Sequence, residues 1–249
     1  MNVRLAAVAL ILSITTVLTG CSADSTARLQ PGGAGKRVSV VAFLGDSYTA
    51  GIGDTTRDQT YAALTAQRLG WQVIVAGQAG TGLLAPGHDG HTFGQLYERQ
   101  LAWRPAPDMA VIVGGHNDWP YPQSLEETSA ARLVNQMRQR WPRTHLLMVG
   151  PMWGSGEPRT EVLSIRDALK SAAAQENVPF IDPLAEQWVT GSRDSGTGNA
   201  PRFILKDNTH PNAAGHRYFA DRLVADLRKL GLTEPVAGVK VSHPNKAGG

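Results

Sequence analysis

The 249-residue chain has one cysteine, Cys21, so an internal disulfide is excluded even if the protein is exported to an oxidising compartment. Charge is scarce as well: 18% of the residues are charged and the net balance is +3. Lysine and arginine are scattered, with neither a basic run nor a basic stripe interleaved with aromatics, and we expect no nucleic-acid partner. No internal repeat and no G-x-x-x-x-G-K-[ST] phosphate loop occurs. Gly77, Gly80 and Gly82 run in the order G-x-x-G-x-G, the reverse of a dinucleotide fingerprint, and no acidic residue ends the following strand. His88 and His91 in "GHDGH" have no further ligand cluster beside them and read as a surface loop. No cofactor and no metal is expected.

What is present is an ordinary globular composition, 42% hydrophobic, enough for one domain with a substantial core. The longest apolar stretch, "LAAVALILSITTVL", follows Arg4 and is too short for a permanent span, so residues 1–20 read as a secretion signal. Leu18-Thr19-Gly20-Cys21 resembles the lipobox of bacterial lipoproteins. That resemblance implies a lipidated Cys21 and a membrane-anchored protein of the cell envelope. Residues 21–37 then form a polar, Gly/Pro-bearing tether with a coil reach of roughly 20 Å. The folded domain is expected over 38–232, followed by a loop-like tail over 233–249.

Between those limits short apolar runs alternate with amphipathic stretches. "VSVVAFL" (38–44), "WQVIVA" (71–76), "MAVIVG" (109–114), "HLLMVG" (145–150) and "VPFID" (178–182) are of strand length and rich in β-branched residues. Helices are expected over 59–70, closed by Gly70; over 124–141, opened by a Ser124–Glu127 capping box; over 160–175; and over 211–231, closed by Gly231. This alternation implies a three-layer α/β/α sandwich around a parallel sheet of about five strands. Ligands bind such sheets at the carboxyl ends of the strands, where Ser47 directly follows the first run.

The loops at that edge carry the remaining chemistry. "AGQAGTG" (76–82) follows the second strand, "GGHND" (114–118) the third, and "DNTHP" (207–211) precedes the last helix. Serine hydrolysis needs a base, a carboxylate to orient it, and donors for a developing oxyanion. Asp207 and His210 are close enough for the carboxylate to bond Nδ1 while Nε2 faces outward; Asn117 offers a side-chain N–H and Gly80 an unobstructed backbone N–H.

"GDSYTAG", "AGQAGTG", "GHND" and "DNTHP", in this order, resemble the four blocks of the SGNH (GDSL) hydrolases. The resemblance implies a flavodoxin-like fold and hydrolysis of carboxylic esters through an acyl-enzyme. Ser47 would be the nucleophile, His210 the base and Asp207 its orienting residue. The oxyanion hole would be the Ser47 and Gly80 backbone N–H groups with Asn117. The second block lacks the asparagine and the serine of the family's pattern, having Ala76 and Ala79 instead, so Gly77 and Gly82 compete with Gly80 for the role. His116, Trp119 and Trp153 are candidate pocket residues in the loops after the third and fourth strands. The substrate is an ester of open identity: an acylated glycan, a lipid, a thioester or a small acyl ester. Two other readings compete. One is a metal-dependent phosphoesterase using Asp46, His116, Asn117, Asp118 and His210. The other is a non-catalytic glycan-binding lipoprotein.

Overall fold

In the computed structural model, residues 37–53 and 55–240 are described. The expected leader, Cys21, nearly all of the tether and residues 241–249 of the tail lie outside the described residues. Five runs form one all-parallel sheet: β1 (Val40–Gly45), β2 (Gln72–Gly77), β3 (Met109–Val113), β4 (His145–Val149) and β5 (Phe180–Ile181), in the order β2-β1-β3-β4-β5. The helices are α1 (Ser47–Ala50), α2 (Tyr61–Leu69), α3 (Phe93–Gln100), α4 (Gln123–Arg140), α5 (Thr160–Gln175), α6 (Ala200–Phe203) and α7 (Ala213–Lys229).

Strand residues point alternately to opposite faces, and each face has its own core. Val41, Phe43, Val111 and Leu147 meet Tyr61 and Ala66 of α2 and Phe219, Leu223 and Leu227 of α7. Ala42, Leu44, Ile112 and Met148 meet Phe93 and Leu96 of α3, Leu133 and Met137 of α4, and Ile165 and Leu169 of α5. Burial on both sides explains why the strands read as continuous apolar runs. The expected α/β/α sandwich is what forms.

Local signals set most boundaries. Gly70 closes α2 in the left-handed conformation (φ 67°), which a glycine adopts without steric cost. The Asn212 side chain accepts from Gly215 N and opens α7. The Ser124–Glu127 capping box does not form. Pro122, with φ −65° already suited to a helix entrance, is the N-cap, so Ser124 lies inside α4 and its carbonyl accepts from the Thr128 hydroxyl. Glu127 instead accepts from Ser171 and Gln175 of α5.

The described part of the tail has no regular structure, yet it is tied along the amino edge of the sheet. Trp71 Nε1 donates to Thr233 O (2.8 Å), Ser39 Oγ to Pro235 O (2.8 Å) and Gly238 N to Arg143 O (2.8 Å). Asp108 accepts from Val40 N at one oxygen and from Ala237 N at the other, joining both ends of the domain.

Candidate active site

The sheet order reverses direction between β1 and β3, which leaves a crevice at their carboxyl ends. Both motifs that follow these strands open there. After Gly45, Asp46 caps α1 by accepting from Tyr48 N (2.9 Å), and Ser47 is the first residue of that helix, only 4% exposed. Burial, opposed by the Tyr48 N–H and reinforced by the charge of Asp118, pushes the Asp46 carboxyl up to about 7.

The partner of Ser47 arrives from far along the chain. Asp207 folds the turn ahead of α7: its Oδ1 accepts from Thr209 N (2.9 Å) and His210 N (3.0 Å), while Oδ2 faces His210 Nδ1 at 2.7 Å. His210 Nε2 lies 2.9 Å from Ser47 Oγ. A carboxylate can only accept, so Nδ1 carries the proton and Nε2 is left as the acceptor for the serine hydroxyl. Partial burial pushes the Asp207 carboxyl up, but the ring and backbone donors outweigh it and hold it below the usual carboxylate range.

Sequence reasoning missed three supports of this turn. Tyr48, fully buried, donates its hydroxyl to Thr209 O (2.5 Å), and its ring lies 5.7 Å from that of His210. Asn208 sits in the left-handed region (φ 58°), and its Nδ2 reaches both carboxylate oxygens of Asp194, at 2.8 and 2.9 Å. Gly154 lies so close that a Cβ there would stand 2.2 Å from Asn208 O. An aromatic placed where the first strand runs out was a usable hint for Tyr48; the other two are contacts between distant loops and leave no local pattern.

Asn117 Nδ2 donates to Thr81 O (2.9 Å), which orients the amide and leaves its second N–H for a ligand. The loop it grips is also held by Asp118, whose carboxylate accepts from Leu83 N (3.0 Å), Leu84 N (2.9 Å) and Ala85 N (2.8 Å). The three competing glycines separate on packing. A Cβ at Gly77 would stand 2.5 Å from Ala50 N, and one at Gly82 would stand 2.2 Å from Asp118 Oδ2. Gly80 instead occupies a turn at φ 73°. Behind Asp118 lies Glu126, fully buried, with neither carboxyl oxygen hydrogen-bonded among the described residues. Burial and the neighbouring Asp118 charge push it up to about 10, so it stays protonated. Its place on the buried face of α4 with Ala130, Leu133 and Met137 is visible in the helical spacing.

The candidate pocket residues divide. The His116 ring lies 4.7 Å from Trp153 and 5.4 Å from Tyr48, whose ring His210 also approaches. Trp119 packs on the core around α3, α4 and α5, covered by the Arg159 guanidinium 4.5 Å from its ring. His88 approaches Gly80: a Cβ there would stand 3.1 Å from its ring. The side chains that a metal-dependent phosphoesterase would use already have protein partners. Asp118 accepts three backbone N–H groups, Asp46 accepts Tyr48 N, and His210 lies between Asp207 and Ser47.

A model of the GDSL-like lipase/acylhydrolase family matches residues 43–218, which include all four motif blocks. The chain is 31% identical over 198 residues to a GDSL lipase of Mycobacterium tuberculosis, covering 75% of this chain and 80% of that one. Two solved structures share the fold at low identity. A carbohydrate acetylesterase from Sinorhizobium meliloti superposes with a TM-score of 0.59 at 17% identity, covering 76% of this chain and 98% of that one. A lipase/acylhydrolase from Enterococcus faecalis does so with a TM-score of 0.60 at 16% identity, covering 77% and 96%.

Proposed function

The chain belongs to the GDSL-like lipase/acylhydrolase family and is an SGNH-type ester hydrolase, and from that premise we propose that it cleaves carboxylic esters by a serine mechanism. Ser47 Oγ attacks the ester carbonyl while His210 Nε2 takes its proton. Asp207 holds the imidazole in the required tautomer and stabilises the imidazolium. The negative charge on the tetrahedral oxygen is received by the Ser47 and Gly80 N–H groups and the second N–H of Asn117. His210 returns the proton to the departing alcohol, and a water activated by the same ring then releases the acid from the acyl-enzyme. The observation that carries this reading is the Asp207–His210–Ser47 relay, at 2.7 and 2.9 Å.

The decisive assay is hydrolysis of p-nitrophenyl acetate and butyrate, with and without chelator. The wild type should turn both over and be insensitive to chelator. Ser47→Ala should lose at least about 10³-fold in kcat and no longer react with a fluorophosphonate. Chelator-sensitive turnover that survives Ser47→Ala would establish the metal route instead. Export and lipid anchoring at Cys21 complete the proposal, supported by the apolar leader and the Leu-Thr-Gly-Cys segment. In an expressing bacterium, Cys21→Ala should move the protein from the detergent phase to the aqueous phase.

A further inference from the structure

His116 is not used by the chemistry above, although it adjoins Asn117 and shares the Tyr48 ring with His210, at 5.4 Å and 5.7 Å. Its Nδ1 lies 2.9 Å from Met152 O. A carbonyl oxygen can only accept, so Nδ1 is the protonated nitrogen and the ring offers Nε2 as a bare acceptor. Burial holds the ring below the usual histidine range, opposed by the Met152 carbonyl and reinforced by the proximity of His210, so the neutral form persists. His116 and Trp153 are both partly exposed residues, and their rings lie 4.7 Å apart. An acceptor with a fixed tautomer, next to a flat indole and beside the catalytic base, is suited to one kind of ligand group. That group is a hydroxyl carried on a ring whose C–H face rests on an aromatic.

We propose that His116 Nε2 accepts a hydrogen bond from a free hydroxyl next to the scissile ester on the alcohol side of the substrate, with Trp153 under the same ring. The preferred substrates are therefore O-acyl esters of sugars or cyclic polyols rather than esters of simple alkanols. The inference rests on the serine-esterase reading and gives it a substrate class. Met152, on the loop after β4, acts as a positioning residue through its carbonyl.

The test compares kcat/KM of the full chain on a monoacetylated pyranoside that keeps the hydroxyl adjacent to the ester and on its deoxy counterpart, with p-nitrophenyl acetate as the common reference. The wild type should favour the hydroxylated ester by about tenfold, the worth of one hydrogen bond. His116→Phe, which keeps a ring but loses the acceptor, should bring the ratio close to one; His116→Gln, which restores an acceptor oxygen, should recover part of it. A wild-type ratio of one would overturn the inference, and that measurement needs no variant to fold. A ratio that His116→Phe leaves unchanged would overturn it equally. Absence of p-nitrophenyl acetate turnover by the wild type would instead overturn the esterase reading, and this inference with it.

Discussion

The segment around Ser47 lies inside the molecule, whereas the segment around His210 lies on it. Ser47, Tyr48 and Thr49 are at most 4% exposed, wedged between the end of β1 and the core around α2 and α7. Asp207 and His210 have side chains 43% and 21% exposed, on a turn built from hydrogen bonds rather than apolar contacts. Nonpolar packing therefore fixes Ser47, and a set of polar bonds in competition with water fixes His210. Each of those bonds contributes only about 1 kcal/mol to stability. Their cumulative effect on geometry is larger, because a base displaced by about 1 Å loses on the order of 100-fold in rate. Changes near Ser47 should register in stability and changes near His210 in rate.

Asp207→Asn is the sharpest trial of that division. The amide oxygen can still serve the turn's backbone donors, but the NH₂ group would face His210 Nδ1 and favour the wrong tautomer. We expect kcat to fall by about 10⁴-fold, the scale of such a change in serine proteases, with little change in thermal midpoint. A loss of folding comparable to the loss of rate would erase the distinction. Tyr48→Phe probes the link between the two segments, since its hydroxyl is on the buried side and its acceptor, Thr209 O, is on the exposed side. Stability should drop by about 1 kcal/mol and kcat by about tenfold with KM steady, read by denaturation and steady-state kinetics. Glu126→Gln should have the smallest effect on rate, within about twofold, and its signature is in pH. Glu126 is held near 10 when folded against an ordinary 4.5, so the folded state keeps a proton that the unfolded state releases. Wild-type stability therefore falls as pH rises from 4.5 toward 10, and the amide does not share that loss. The thermal midpoint of the variant should gain on the wild type from about pH 5 to about pH 9.

Much of this architecture is legible residue by residue. Continuous β-branched runs mark β1 to β4 because both of their faces are covered, and Gly70 and Gly231 mark helix ends by their left-handed backbone. The fifth strand, expected over 178–182, shrinks to Phe180–Ile181. It pairs on one side only, and Pro179 supplies no N–H. α3 escapes notice because "FGQLYERQ" gives only Phe93, Leu96 and Tyr97 on its buried face, too few to establish a helical period. At the site, Ser47, Asn117, Asp207 and His210 stand in short motifs and can be picked out. The groups that hold them cannot. The Tyr48–Thr209 bond spans 161 positions, and the Asp194–Asn208 and Gly154–Asn208 contacts join separate loops that only the folded chain brings together.

The strap along the amino edge has a consequence for how the molecule is held. Val40, Asp108, Arg143 and residues 233–238 are knotted together where β1 begins, and Ser47 follows where β1 ends. The strand between them is roughly 17 Å long at about 3.3 Å per residue. The chain therefore enters the sheet at the pole opposite the serine, at a spot that the two Asp108 bonds brace.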